Sequence, residues 1–90
     1  MNKRYHMLFS GAVQNTGFRA TAKFLAGQHY LKGVARNTGD GKVEIIAEGN
    51  DHALADFYCD LKHHFRAQIK HSEARESPAV GGFPGFLVEY

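Results

Sequence analysis

Two stretches of this chain repeat apolar residues at helical spacing, and each is flanked by stretches that alternate apolar and polar residues. That order leaves few folds open. Phe18, Ala22, Leu25 and His29 recur at i, i+4, i+7 and i+11, which predicts a helix over about Phe18–Tyr30. Leu54, Phe57, Tyr58, Leu61 and Phe65 make a second stripe and predict a helix over Asp51–His64. Ahead of the first helix, Tyr5–Val13 alternates and places Tyr5, Met7, Phe9, Gly11 and Val13 on one face of a strand. Between the helices, Gly33–Asn37 reads as a short strand and Thr38-Gly39-Asp40-Gly41 as a hairpin turn. Lys42–Glu48 follows as a strand with Val43, Ile45 and Ala47 on one face. Gly49-Asn50-Asp51 ends that strand and offers a helix N-cap. Ala67–Glu76 reads as a polar strand, Ser77–Pro84 as a loop and Phe86–Tyr90 as a closing strand.

The order βαββαβ, with a short C-terminal strand added, predicts an α+β ferredoxin-like sandwich. An antiparallel sheet would carry both helices on one face. Lys42, Glu44 and Glu48 would then point from the uncovered face. Ninety residues suit one domain over 1–90 and leave no room for a second core. Eleven Lys and Arg against nine Asp and Glu give a net charge of only +2, mixed along the chain, which argues against nucleic-acid binding. The outer face of Lys42–Glu48 also carries two glutamates and no aromatic, unlike the sheets that stack RNA bases. No apolar run approaches the roughly 20 residues of a membrane span, and no secretory pattern follows the basic start of the chain. One cysteine, Cys59, excludes an internal disulfide and fits a reducing compartment, so a cytoplasmic location is expected. Adjacent His63 and His64 project about 100° apart on a helix and do not make a chelating pair, so no metal site is expected.

Chemistry concentrates in Ser10–Arg19. A strand ends in a turn of small residues and a helix begins at once. That arrangement presents unpaired backbone N–H groups at the positive end of the helix dipole, a site suited to an anion. Arg19 falls in the first turn, where the dipole disfavours a cation by roughly 0.3–1 kcal/mol. A guanidinium there is useful if it closes over a phosphate with paired N–H bonds. The same residues also fit an ordinary strand-turn-helix with an exposed arginine, and Asn37 alone fits the first position of a turn.

Taken together, Gly11-x-Val13-Gln14-x-x-Gly17-Phe18-Arg19, then Ala26, then Gly33-x-x-Arg36-Asn37-x-x-Asp40-Gly41-x-Val43-Glu44 and Ala47-Glu48-Gly49 resemble the acylphosphatase family in order and spacing. Phe86–Tyr90 is similar to that family's closing strand. The resemblance implies hydrolysis of an acyl phosphate to a carboxylate and inorganic phosphate, without metal or organic cofactor. It implies that Arg19 binds the phosphate, that Asn37 orients the water, and that the backbone N–H groups of Asn15, Thr16, Gly17, Phe18 and Arg19 form the phosphate cradle. The expected partners are a small acyl phosphate and inorganic phosphate or a similar anion, with no nucleic acid, no membrane and a monomeric state.

The loop departs from the family's usual Gln-Gly-Val-Gly-Phe-Arg at Asn15 and Thr16. Asn tolerates a left-handed backbone at a cost on the order of 1 kcal/mol, and the Thr16 hydroxyl is expected to face solvent. These changes motivate an alternative reading, a catalytically impaired domain of this type that binds phosphate ligands or protein. Tyr30 stands where a glycine would end the first helix, and His29 where the family carries an aliphatic residue. The hydrolytic reading requires no protein general base, because the bound phosphoryl group can take the proton of the water. The rate of acyl phosphate hydrolysis against pH should therefore show no limb belonging to a histidine or carboxylate of the protein. A sharp limb that one His substitution abolishes would contradict this.

Overall fold

Seven elements make up the computed structural model, which describes residues 1–90. They are β1 (Asn2–Gly11), α1 (Phe18–Gln28), β2 (Lys32–Asn37), β3 (Val43–Asn50), α2 (Asp51–His64), β4 (Ile69–Pro78) and β5 (Phe86–Val88). The strands form one sheet in the order β4-β1-β3-β2-β5. The pairs β1/β3, β1/β4 and β2/β3 are antiparallel. This is the ferredoxin-like α+β arrangement expected from the element order. The added strand β5 lies parallel to β2, which makes the sheet mixed.

One face of the sheet carries both helices. Met7, Phe9, Val43, Ile45 and Ala47 meet Phe18, Ala22 and Ala26 of α1 and Leu54, Phe57 and Leu61 of α2 in a single buried cluster. Each large side chain buried there contributes roughly 1.5–3 kcal/mol. The stripe on α1 closes with Ala26, while His29 sits at its edge. The His29 imidazole lies 2.9 Å from the Asp60 carboxylate on α2 and edge-on to Phe57.

The strand and helix limits differ from expectation where local polarity hides them. β1 begins at Asn2 because its polar first residues pair with β3 and β4 on either side. A bulge lies between Ser10 and Gly11, where Ala12 N donates to Gln68 O at 3.0 Å. At Gly11 φ is +120° and a Cβ would sit 2.2 Å from Gln68 O, so only glycine fits that crossing. α1 stops at Gln28, and Tyr30 takes the left-handed conformation (φ 57°) usual for a helix-ending glycine. β4 starts at Ile69, after a turn in which Gln68 and Ile69 both donate to Phe65 O.

The chain crosses from β4 at one edge to β5 at the other through residues 79–85, over the face without helices. Glu48 points from that face, as its strand alternation requires, yet the crossing loop buries it. Its carboxylate accepts from Arg4 Nε at 2.6 Å and from the backbone N–H groups of Val80 and Gly81 at 2.8 Å each. Burial pushes this carboxyl's pKa up, but the three charge-assisted hydrogen bonds outweigh it and hold the value below the ordinary 4.5. A depressed carboxylate contributes stability above the unfolded-state value and loses it as pH falls through the folded one. Glu48→Gln should accordingly cost about 1–3 kcal/mol at pH 7. It should also flatten the loss of stability below about pH 4, as read by urea unfolding at pH 7 and pH 3. An unchanged unfolding midpoint at pH 7 would show that the loop does not depend on Glu48.

Candidate active site

The end of β1 and the start of α1 enclose a loop whose backbone faces outward. Gly17 is the N-cap of α1 in a left-handed conformation (φ 78°), and no side chain caps the helix. α2 differs: its N-cap Asn50 accepts from His52 N at 2.9 Å. The first-turn amides of α1 are therefore left without a side-chain acceptor, as an anion site requires. Asn15 is left-handed as well (φ 63°), one of the backbone regions that Asn tolerates better than other residues with a Cβ. Thr16 is exposed, as expected, and its hydroxyl also donates to Val13 O at 2.6 Å, which braces the loop.

Phe18 anchors this segment. Its ring packs 4.9 Å from Phe9 and stacks 4.2 Å from Phe65. Arg19, one residue on, turns out of the core. Its Nη1 donates to Glu89 O at 2.6 Å, and its guanidinium carbon lies 4.8 Å from the centroid of the Tyr90 ring. Glu89 is held in turn, since its N–H donates to Ala35 O at 3.0 Å. Asn37, the last residue of β2, is half-buried beside it. Asn15, Gly17, Phe18, Arg19, Asn37 and Tyr90 line one cleft of about 110 Å³. The structure thus brings together every expected site residue except Thr16, which is outside the lining.

Three contributors lie within the motif segments but have no role that the sequence pattern assigns. Glu89 and Tyr90 read only as the end of a strand, yet they hold the arginine. Arg36 precedes Asn37, bonds Glu44 at 2.6 Å and lies 3.7 Å from the Glu89 carboxylate. Glu44 also meets the His6 ring at 2.5 Å. Partial burial raises the Glu44 pKa, but the hydrogen bonds from Arg36 and His6 outweigh it and keep the carboxyl below its usual range. This cluster spans β1, β3 and β2 on the face without helices and ends at Glu89. A larger groove, about 260 Å³, lies at the far end of the sheet beside Tyr30, Lys32 and Glu48. Its carboxylate is already committed to Arg4 and the crossing loop. Cys59, His63 and His64 are exposed on α2.

The sequence profile of the acylphosphatase family matches residues 5–88. An acylphosphatase of Treponema denticola is 38% identical over 85 residues, 93% of this chain and 89% of that one. One of Bacillus licheniformis is 33% identical over 88 residues, 97% and 98% of the two chains. The crystal structure of acylphosphatase from Bacillus subtilis superposes with a TM-score of 0.89 at 30% identity, covering 98% of this chain and 99% of that one. The chain belongs to the acylphosphatase family. No helix in it is long and apolar enough to cross a membrane.

The left-handed backbone at Asn15 yields a test of the altered loop. Asn15→Gly should keep or raise turnover of benzoyl phosphate, because glycine adopts this conformation freely. Asn15→Ala should lower stability by roughly 1–2 kcal/mol in thermal unfolding. A large loss of turnover in Asn15→Gly would show that the Asn15 side chain has a function of its own.

Proposed function

We propose that Arg19 and the backbone N–H groups of Asn15, Thr16, Gly17, Phe18 and Arg19 bind the phosphoryl group of an acyl phosphate, and that Asn37 orients the water that attacks it. The activity itself follows from family membership: an acyl phosphate is hydrolysed to a carboxylate and inorganic phosphate. The observation that supports the residue assignment is that Arg19 and Asn37, carried by different elements, meet in one cleft at an uncapped helix N-terminus.

An acyl phosphate already carries a good carboxylate leaving group, so phosphoryl transfer needs mainly positioning and charge stabilisation. The water oxygen bonds to phosphorus as the bond from phosphorus to the acyl oxygen breaks. The carboxylate leaves with the electron pair, and the proton of the water passes to a phosphoryl oxygen. Arg19 has five N–H donors and spends one on Glu89 O, so the rest remain for the equatorial oxygens. The loop amides and the helix dipole add fixed positive potential where charge develops. The Asn37 amide offers both a donor and an acceptor, which suits it to hold a water in line. These parts supply the reaction without a metal, an organic cofactor or a protein base.

The reading extends to one domain over residues 1–90 that works as a monomer in the cytoplasm and binds no nucleic acid. Its support is a single buried cluster fed by both helices and most strands, and an open sheet face taken up by ion pairs and the crossing loop. A binding-only role is not favoured, since the relatives matched over nearly their full length are acylphosphatases.

Benzoyl phosphate hydrolysis in EDTA tests the assignment. Arg19→Ala should lose phosphate affinity and turnover together, with turnover down roughly 100- to 1,000-fold. Asn37→Ala should cut turnover while inorganic phosphate inhibits as it does in the parent. Full turnover in Asn37→Ala would remove that residue from the mechanism.

A further inference from the structure

The cradle and the water-orienting residue sit on elements that the sheet does not join directly. The loop leaves β1 and Asn37 ends β2, with β3 between them. The two ends are two strand spacings apart, about 10 Å. Phosphoryl transfer in line needs the water and the phosphorus held to much better than that.

One side chain spans the gap. Gln14 Nε2 donates to Thr38 O at 2.9 Å and to Lys42 O at 2.9 Å. Both acceptors are carbonyl oxygens, so only the NH₂ end of the amide can serve them, and both of its donors are used. Thr38 follows Asn37 directly, and Lys42 precedes Val43, the partner of Asn37 across the β2–β3 ladder. The turn that Gln14 grips is stiff. Thr38 N donates to Lys42 O at 2.9 Å, Lys42 N donates to the Thr38 hydroxyl at 3.1 Å, and that hydroxyl donates to the Asp40 carboxylate. A stiff turn gripped at both of its ends moves with the loop as one body. Gln14 itself is half-buried and is not part of the cleft lining.

We propose that Gln14 is a positioning residue for the hydrolysis: its amide staples the phosphate loop to the β2–β3 turn and so sets the place of Asn37 relative to the bound phosphoryl group. The inference rests on the assignment of Arg19 and Asn37 made above. It predicts a separation of effects. The cradle is built from backbone braced by Thr16 and Phe18, so phosphate binding survives loss of the staple. Alignment of the water does not, and a misplacement near 1 Å is enough to cost roughly 100-fold in rate.

The test uses Gln14→Met, which keeps most of the bulk and removes both donors. With benzoyl phosphate, kcat should fall roughly 10- to 100-fold, while the inhibition constant of inorganic phosphate stays within about twofold of the parent. Because Gln14 acts through Asn37, the further loss on adding Gln14→Met to Asn37→Ala should be close to nil. A second variant, Gln14→Glu, places a carboxylate against two carbonyls. Its rate should be low at neutral pH and recover as the carboxyl protonates and regains one donor, a limb that the parent lacks. Unchanged kcat in a folded Gln14→Met overturns the proposal, as does a kcat loss that persists undiminished in the Asn37→Ala background, or a phosphate inhibition constant that rises in step with the fall in kcat. If Arg19→Ala or Asn37→Ala retains full turnover, the site assignment fails instead, and the two failures are told apart.

Discussion

The Phe18 ring lies between Phe9 on β1 and Phe65 just beyond α2, at 4.9 and 4.2 Å between ring centroids, and is almost wholly buried. Burial of a ring this size contributes roughly 1.5–3 kcal/mol, and aromatic pairing adds about 0.5–1.5 kcal/mol. This contact fixes where α1 begins and how it is rotated about its axis. Successive helical residues advance by about 100°, so once Phe18 faces the core Arg19 must leave it. The loop before Phe18 must then climb out of the sheet and turn within a few residues, which is why Asn15 and Gly17 are both left-handed. Position of the arginine, direction of the loop amides and strain in the loop thus share one cause.

The two helices of the chain handle their N-termini in opposite ways, and the contrast carries functional meaning. α2 has Asp51 in its first turn and Asn50 as a side-chain cap, so its positive end is neutralised from within. α1 has neither an acidic first-turn residue nor a cap, and it adds Arg19 to the same end. Left alone, that accumulation of positive potential is unfavourable. The Glu89 carbonyl and the Tyr90 ring offset part of it, and on the proposed assignment a dianionic phosphoryl group would offset the rest. Arg36, Glu44 and the Glu89 carboxylate hold the carbonyl in place from the open face of the sheet. The charge at this helix end is therefore steadied by neutral acceptors rather than by a carboxylate.

What could be read from the residues tracks the range of the forces involved. α2 spans Asp51–His64 in both the pattern and the structure, because its cap and its five-residue stripe are local features. That Arg19 and Asn37 meet at one cleft was legible because a strand-turn-helix junction and a hairpin have local chemistry, and because their joint spacing resembles a family. The start of β1 was not legible, since its polar residues are held by partners on β3 and β4. Tyr90 and Glu89 were missed because Arg19 meets them across 70 residues of sequence. Gln14 was visible as a motif residue without a task, because its acceptors are backbone carbonyls 24 and 28 residues away. A side chain bonded to distant backbone leaves no periodicity behind.

The two non-glycine residues with positive φ stand at opposite ends of α1, and they are not equivalent. At Asn15 the short amide side chain is among the better-tolerated choices for a left-handed backbone, and the residue lines the cleft. At Tyr30 a bulky ring takes the same conformation while 92% exposed, so no packing offsets the strain. Against a total stability of roughly 5–15 kcal/mol for a domain, a cost near 1 kcal/mol at each end is small but not negligible. On the proposed assignment, strain at Asn15 holds backbone N–H groups outward, where they do chemical work, and it is confined there by Phe18 and the Thr16 brace. Strain at Tyr30 does no such work near the cleft. It ends the helix so that Leu31 N can return to Ala26 O at 2.9 Å and the chain can enter β2, whose far end carries Asn37. Both turns thus bear on the same cleft: one shapes the loop that lines it, and the other starts the strand whose last residue, Asn37, reaches it.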